Sequence, residues 1–117
     1  MKTPVAVILY RRPGLVEELM KILQAHRPER LWLIADGPKG ENQEERELCQ
    51  QARRVAEEGI TWNCKVHKIY ASKNLGLRRN VEEGLDALFA EENEAILLED
   101  DCHPTADFFP FCEEMLG

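Results

Sequence analysis

The sequence lacks any apolar run long enough to cross a membrane. Its most continuous apolar segment, residues 5–10, is far shorter than the roughly 20 residues that a membrane-spanning helix needs. The same segment makes a poor secretory signal, because Arg11, Arg12 and Pro13 follow it where small residues would form a cleavage site. We therefore predict no transmembrane segment and expect a cytoplasmic protein, or a cytoplasmic piece of one.

Paired cysteine motifs are also missing. The four cysteines, Cys49, Cys64, Cys102 and Cys112, form no CxxC pair and show no zinc-like spacing. His103 lies directly beside Cys102, which is not the spacing of two ligands to one zinc ion. We expect no zinc site, and free thiols in a reducing compartment.

The chain has no excess of positive charge. It carries 22 acidic residues against 15 lysines and arginines, for a net charge of -7, so we expect no nucleic-acid partner. The basic residues nevertheless cluster, as Arg11 with Arg12 and as Lys73 with Arg78 and Arg79, and such clusters are compatible with a local basic pocket. The length of 117 residues indicates a single domain that can bury most of its unfolded surface.

Two kinds of hydrophobic pattern alternate along the chain. Short apolar or alternating runs predict strands at residues 4–10, 31–35, 64–71 and 95–99. The segments that follow place apolar residues at helical spacing, and the most charged of them, residues 41–58, is interpreted as a solvated outer helix that binds nothing. Strands and helices in strict alternation predict a Rossmann-like three-layer α/β/α sandwich with a mostly parallel sheet.

Charged residues follow each predicted strand at the point where it ends. They are Arg11 and Arg12 after the first, Asp36 after the second, Lys73, Arg78 and Arg79 after the third, and Glu99, Asp100 and Asp101 after the fourth. Because ligands bind at the carboxyl edge of parallel sheets, we expect these groups to converge there. Carboxylates can hold Mg²⁺ or Mn²⁺ while arginines bind phosphate oxygens, so the set suits a phosphorylated substrate.

Each of these features also has a plain structural interpretation. Asp101 could cap a helix that begins near Pro104, with the neighbouring acids solvated. The surface arginines could be solvated, and the sequence Asp-Gly-Pro at residues 36–38 is typical of a turn. Only the convergence of several strand ends favours a ligand site over these alternatives.

Four segments follow one another in a recognisable order: VAVILYRRP at residues 5–13, IADGP at 34–38, KNLGLRRNVEEG at 73–84 and ILLEDDCHPTADFF at 96–109. This order of motifs resembles the nucleotide-sugar-binding half of GT-A glycosyltransferases. The similarity is to the bacterial family 2 enzymes and to the N-acetylglucosaminyltransferase I-like group. The sequence EDD at residues 99–101 takes the place of the family's DxD metal motif. The resemblance spans essentially the whole chain.

The resemblance implies that the ligand is a nucleotide diphosphate sugar, most often a UDP-sugar. Tyr10 and Arg12 would line the nucleotide pocket at the end of the first strand. Asp36 would accept a hydrogen bond from the base, which is most commonly uracil in this fold.

The same resemblance implies roles for the charged residues nearer the phosphates. Asp100 would contact the ribose or the sugar, and Asp101 would bind the Mn²⁺ or Mg²⁺ ion that bridges the diphosphate. Lys73 and Arg78 would meet phosphate or sugar oxygens, and Glu99 would contact the sugar or support another contact.

The chain departs from the family pattern after the metal motif. Members of the family have a second half that binds the acceptor and, in inverting enzymes, supplies the catalytic base. We therefore expect no catalytic residue among residues 1–117 and interpret them as the N-terminal donor-binding portion of a longer glycosyltransferase with an unknown acceptor. The apolar tail at residues 108–116 is a candidate dimer contact.

Other functions of the same architecture fit less well. A signalling receiver domain needs acids after its first strand and an aspartate after its third, where this chain has Arg11, Arg12, Ser72 and Lys73. A Toprim-like nuclease needs a glutamate after its first strand. A non-catalytic nucleotide-binding module of the same fold stays open as an alternative.

Overall fold

The computed structural model describes residues 1–116 and contains four strands alternating with four helices in that range. The strands are β1 (Val5–Leu9), β2 (Arg30–Ala35), β3 (Lys65–Tyr70) and β4 (Ile96–Glu99). The helices are α1 (Pro13–His26), α2 (Gln43–Glu58), α3 (Leu77–Phe89) and α4 (Phe108–Leu116). Each strand bound lies within one residue of its predicted position. No helix among residues 1–116 combines the length and the hydropathy that a membrane span requires.

The four strands form one parallel sheet in the order β3-β2-β1-β4. Val5 of β1 lies opposite Leu31 of β2 on one side and Ile96 of β4 on the other. Helices pack on both faces of the sheet, which confirms the Rossmann-like three-layer α/β/α sandwich. Because all strands run in the same direction, their carboxyl ends meet at a single edge.

The larger part of the core lies between the sheet and helices α1, α2 and α4. Alternate strand residues such as Val7 and Leu33 face these helices and are fully buried. The buried face of α1 is formed by Val16, Leu19, Met20 and Leu23. Leu15 and Ile22 lie at the margins of that face and are only partly buried.

Helix α3 packs on the opposite face of the sheet. There Leu88 contacts a cluster that includes Trp32 and Ile34. The helix comes very close to β2 at Gly84, where an added Cβ would lie 2.4 Å from Cγ2 of Ile34. This close contact fixes how the start of α3 sits against the carboxyl edge of the sheet.

Strand β4 is buried on only one of its two faces. Ile96 and Leu98 are buried, but Leu97 and Glu99 are exposed. The reason is that β4 lies at the edge of the sheet and only its Ile96 and Leu98 side faces the larger core. Helix α4 buries Phe109 and leaves an apolar surface exposed, so the dimer contact through the tail stays a prediction.

Candidate functional site

The candidate site is a cleft at the carboxyl edge of the sheet, above β1. It consists of two adjoining pockets of about 220 and 360 Å³. Both are lined by Ile8, Leu9, Tyr10 and Leu77. The smaller, here called the amide pocket, adds Asp36, Lys39, Asn74, Gly76 and Asn80. The larger, here called the acidic pocket, adds Arg11, Arg12, Glu99 and Asp100.

The predicted convergence at this edge is found for Arg11, Arg12, Asp36, Glu99 and Asp100, which line the cleft together with Tyr10. These residues follow or end β1, β2 and β4. The parallel sheet therefore accounts for their meeting in one place.

Four other predicted residues, Lys73, Arg78, Arg79 and Asp101, lie outside the described lining of the two pockets. The Lys73 side chain is exposed, and so is that of Asp101, the neighbour of Asp100. The Arg78 side chain is 93% exposed and its Nε lies 2.9 Å from Oε1 of Glu82. The predicted cap at Asp101 is not formed either, because the next helix begins only at Phe108.

Asp100 is the buried member of the acidic cluster, with 3% of its surface exposed. Its backbone N–H donates to the carbonyl oxygen of Ile8 at 3.1 Å, and its Oδ1 accepts a hydrogen bond of 2.6 Å from Nη2 of Arg12. Burial raises the pKa of Asp100; Arg12 opposes this effect, and the charges of Asp101 and Glu99 add to it. Burial is thus the main cause of the raised pKa, and Arg12 is the neighbour that favours the charged form of Asp100.

The Asp36 carboxylate organises the turn at residues 74–76. Its Oδ1 accepts hydrogen bonds from the backbone N–H groups of Gly37 and Leu75, both at 2.8 Å. Its Oδ2 accepts from Nδ2 of Asn74 at 3.2 Å and from the N–H of Gly76 at 3.1 Å. These four donors occupy about as many lone-pair positions as a carboxylate has. A base that binds Asp36 has to displace one of them.

Two glycines allow this turn to sit close to β2. A Cβ on Gly37 would lie 2.6 Å from the carbonyl carbon of Lys73, so the two loops approach backbone to backbone. Gly76 has φ +86°, a conformation that other residues adopt only with strain. Helix α3 begins directly after Gly76, and no side chain caps its N-terminus.

Helix α2 contributes Glu45 to the site, which corrects the expectation of a purely solvated helix. Glu45 is 7% exposed and accepts hydrogen bonds from the Tyr10 hydroxyl, from Nη1 of Arg11 at 3.4 Å and from the N–H of Lys39 at 3.2 Å. Burial, together with the hydrogen bond to Glu45, raises the pKa of Tyr10. Glu45 thus holds residues from both pockets in position.

Arg53, one helical turn beyond Cys49, is a second residue that strand-end reasoning missed. Its Nη2 donates to the carbonyl oxygens of Asp36 at 3.1 Å and Ala71 at 2.7 Å, and its guanidinium lies 4.7 Å from the centre of the Tyr70 ring. It therefore ties together the ends of β2 and β3.

Comparison with known proteins does not identify a family for this chain. No family model, curated protein or solved structure matches the chain. The resemblance to GT-A enzymes accordingly remains a prediction from motifs, to be weighed against the shape and chemistry of the cleft.

The Tyr10–Glu45 contact leads to a prediction of pH-dependent stability. The hydrogen bond from Tyr10 is the main cause of the lowered pKa of Glu45, so its stabilisation is present above the unfolded-state pKa and is lost as the pH falls through the folded-state pKa. We expect Glu45→Gln to unfold at lower urea concentration than the wild type at about pH 7, with the gap narrowing toward about pH 3.

The control is Glu44→Gln, which changes an exposed acid on the same helical turn and should leave the urea midpoint unchanged at both pH values. A gap of equal size for Glu45→Gln at the two pH values would contradict the assigned role of the carboxylate.

Proposed function

We propose that this chain is the nucleotide-sugar-binding part of a metal-dependent glycosyltransferase. The supporting observation is the division of one continuous cleft into an amide pocket with apolar walls and an acidic pocket with paired arginines and carboxylates. A nucleotide diphosphate sugar is divided in the same way, with a flat base at one end for the amide pocket and a diphosphate at the other for the acidic pocket.

The amide pocket suits the base. Ile8, Leu9 and Leu77 give it apolar walls, and the ring of Tyr10 adds an aromatic surface. A few polar groups stand among these walls, which is the usual composition of a small-molecule pocket. A planar heterocycle would bury its faces here and direct its edge toward the polar groups.

The acidic pocket suits the phosphates and a divalent cation. Arg11 and Arg12 in its lining can bind phosphate oxygens, and Asp100 offers the hard oxygen ligands that Mg²⁺ and Mn²⁺ prefer. Asp101, the exposed neighbour of Asp100, would add a second carboxylate on turning toward the pocket. No trio of His, Cys, Asp or Glu side chains among residues 1–116 is arranged to hold a metal ion alone. Magnesium in phosphate sites is commonly held by one or two carboxylates together with substrate phosphates, and the residues present fit that mode.

In this proposal the metal, when bound, offsets the charge that develops on the departing diphosphate. Arg12 holds the Asp100 carboxylate in the wall of the acidic pocket through a hydrogen bond of 2.6 Å. In this proposal Glu99, in the wall of the acidic pocket, contacts the sugar. No residue of this cleft is assigned as the catalytic base.

The side chains of Lys73 and Arg78 would contact the ligand only after turning toward the cleft. The Arg78–Glu82 pair is an exposed contact four residues apart on α3, and pairs of this kind contribute only about 0.2–0.5 kcal/mol. A bound phosphate can therefore compete for the Arg78 guanidinium at little cost.

The proposal is tested by calorimetric titration with UDP-sugars and GDP-sugars, with and without Mn²⁺. We expect Mn²⁺ to strengthen binding and Asp101→Ala to weaken it at least about tenfold, since loss of one direct metal ligand costs more than about 1.4 kcal/mol. The matched control is Asp107→Ala, an exposed acid further along the same segment, which should bind as the wild type does. Binding that is indifferent both to the metal and to Asp101 would refute the proposed role.

A further inference from the structure

We propose that the Asn80 carboxamide, rather than the Asp36 carboxylate, recognises the edge of the nucleotide base in the amide pocket. The inference rests on the proposed function of the cleft and assigns its base specificity to a residue that the resemblance did not single out.

Asn80 is a buried polar residue that lines the amide pocket, with 4% of its surface exposed. Its backbone N–H donates to the carbonyl oxygen of Gly76 at 2.9 Å as part of the first turn of α3. No side-chain hydrogen bond of Asn80 is found among residues 1–116. The one fully buried side-chain polar atom without a partner in that range is Nε of Arg53, so the Asn80 amide atoms are accessible from the pocket. Since buried polar side chains are normally hydrogen-bonded, an amide of this kind beside a pocket is available to a ligand.

The other polar side chains of the pocket are already engaged or exposed. Asp36 accepts four hydrogen bonds from the chain itself. The Asn74 amide nitrogen donates to Asp36 at 3.2 Å and to the carbonyl oxygen of Gly37 at 3.1 Å. The Lys39 side chain is exposed at the rim. Among these groups Asn80 alone combines burial with free donor and acceptor capacity.

An asparagine side chain presents an acceptor, Oδ1, beside a donor, Nδ2. This pair complements a base edge that carries one donor beside one acceptor, such as N3–H and O4 of uracil. An aspartate in the same position would present acceptors only. It would repel O4 of uracil, and it would accept from both N1–H and the 2-amino group of guanine.

The test is the preference for UDP over GDP, measured by titration of the whole chain in the presence of Mn²⁺. We expect Asn80→Asp to lower the ratio of UDP affinity to GDP affinity roughly tenfold or more, because a two-bond contact to a base edge discriminates by about that factor. Asn63→Asp, a change of an exposed asparagine, should leave the ratio unchanged.

The outcomes separate the two proposals. If the wild type binds UDP and a folded Asn80→Asp variant keeps its ratio, the inference about Asn80 is overturned and the proposed function stands. If the wild type binds neither nucleotide with or without Mn²⁺, both are overturned.

If the Asn80→Asp variant does not fold, the inference can be tested on the wild type by NMR. The side-chain amide signals of Asn80 in a ¹⁵N-labelled sample should shift on addition of UDP and stay in place on addition of pyrophosphate. UDP binding that leaves the Asn80 amide signals unmoved would overturn the inference.

Discussion

Replacing Asp36 by alanine is expected to destabilise the chain by about 3 kcal/mol and to abolish nucleotide binding, because each buried donor left without a partner costs about 1–3 kcal/mol. The change removes the acceptor of the Gly37, Leu75 and Gly76 backbone N–H groups and of the Asn74 amide. We do not expect the penalties to add in full, since water can reach part of the turn once it loosens. Urea denaturation gives the first quantity and UDP titration the second.

Two further variants show whether the effect comes from the turn. Asn74→Ala removes one of the four donors to Asp36 and should cost about 1 kcal/mol, as a single hydrogen bond does. Asp86→Ala changes an exposed acid on α3 and should stay within about 0.5 kcal/mol of the wild type. An Asp36→Ala protein as stable as Asp86→Ala would show that the turn does not depend on this carboxylate.

The strands could be predicted from the sequence because a buried strand has a simple sequence pattern. In β1 and β2 both faces of the strand meet helices, so Val5–Leu9 is a continuous apolar run. Such runs are short and bounded by Arg11, Pro13 and Asp36, which fixes their ends to within a residue. The alternation with helices then determines the layer architecture.

The surroundings of β4 could not be predicted in the same way. Residues 95–99 have the composition of a buried strand, yet Leu97 is exposed because β4 occupies an edge of the sheet. The order of strands in a sheet depends on long-range packing. The hydrophobic pattern within one strand does not indicate which strands lie beside it.

For a related reason, only part of the candidate site could be predicted from the sequence. Parallel strand ends meet wherever they lie in the sequence, so Tyr10, Asp36 and Asp100 could be placed together from topology alone. Glu45 and Arg53 lie on a helix among many charged residues. Their one distinguishing signal is that both share a helix face with the buried Cys49, at spacings of four residues.

Gly84→Ala is expected to destabilise the chain by about 2 kcal/mol, although alanine is the better helix former by about 1 kcal/mol in an exposed helix. The new methyl group would lie 2.4 Å from Cγ2 and 2.8 Å from Cδ1 of Ile34, so α3 or the isoleucine has to move. Because Gly76 directly precedes α3 and Asn80 lies in its first turn, the same shift should weaken nucleotide binding. Gly14→Ala is the matched control, since its added Cβ meets no atom of another segment within 4 Å. This variant should be as stable as the wild type or more stable by up to about 1 kcal/mol.

A double-mutant cycle with Ile34→Ala isolates the contact between α3 and β2. Alone, Ile34→Ala should cost about 3 kcal/mol through the lost burial and the cavity it leaves. In the double variant the alanine methyl at position 84 meets no isoleucine side chain, so we expect it to be about 2 kcal/mol more stable than the sum of the single changes predicts. Nucleotide affinity should recover together with stability if the Gly84 contact positions the amide pocket. Additive losses would instead mean that α3 accommodates the methyl group elsewhere, and that its distance from β2 does not control the site.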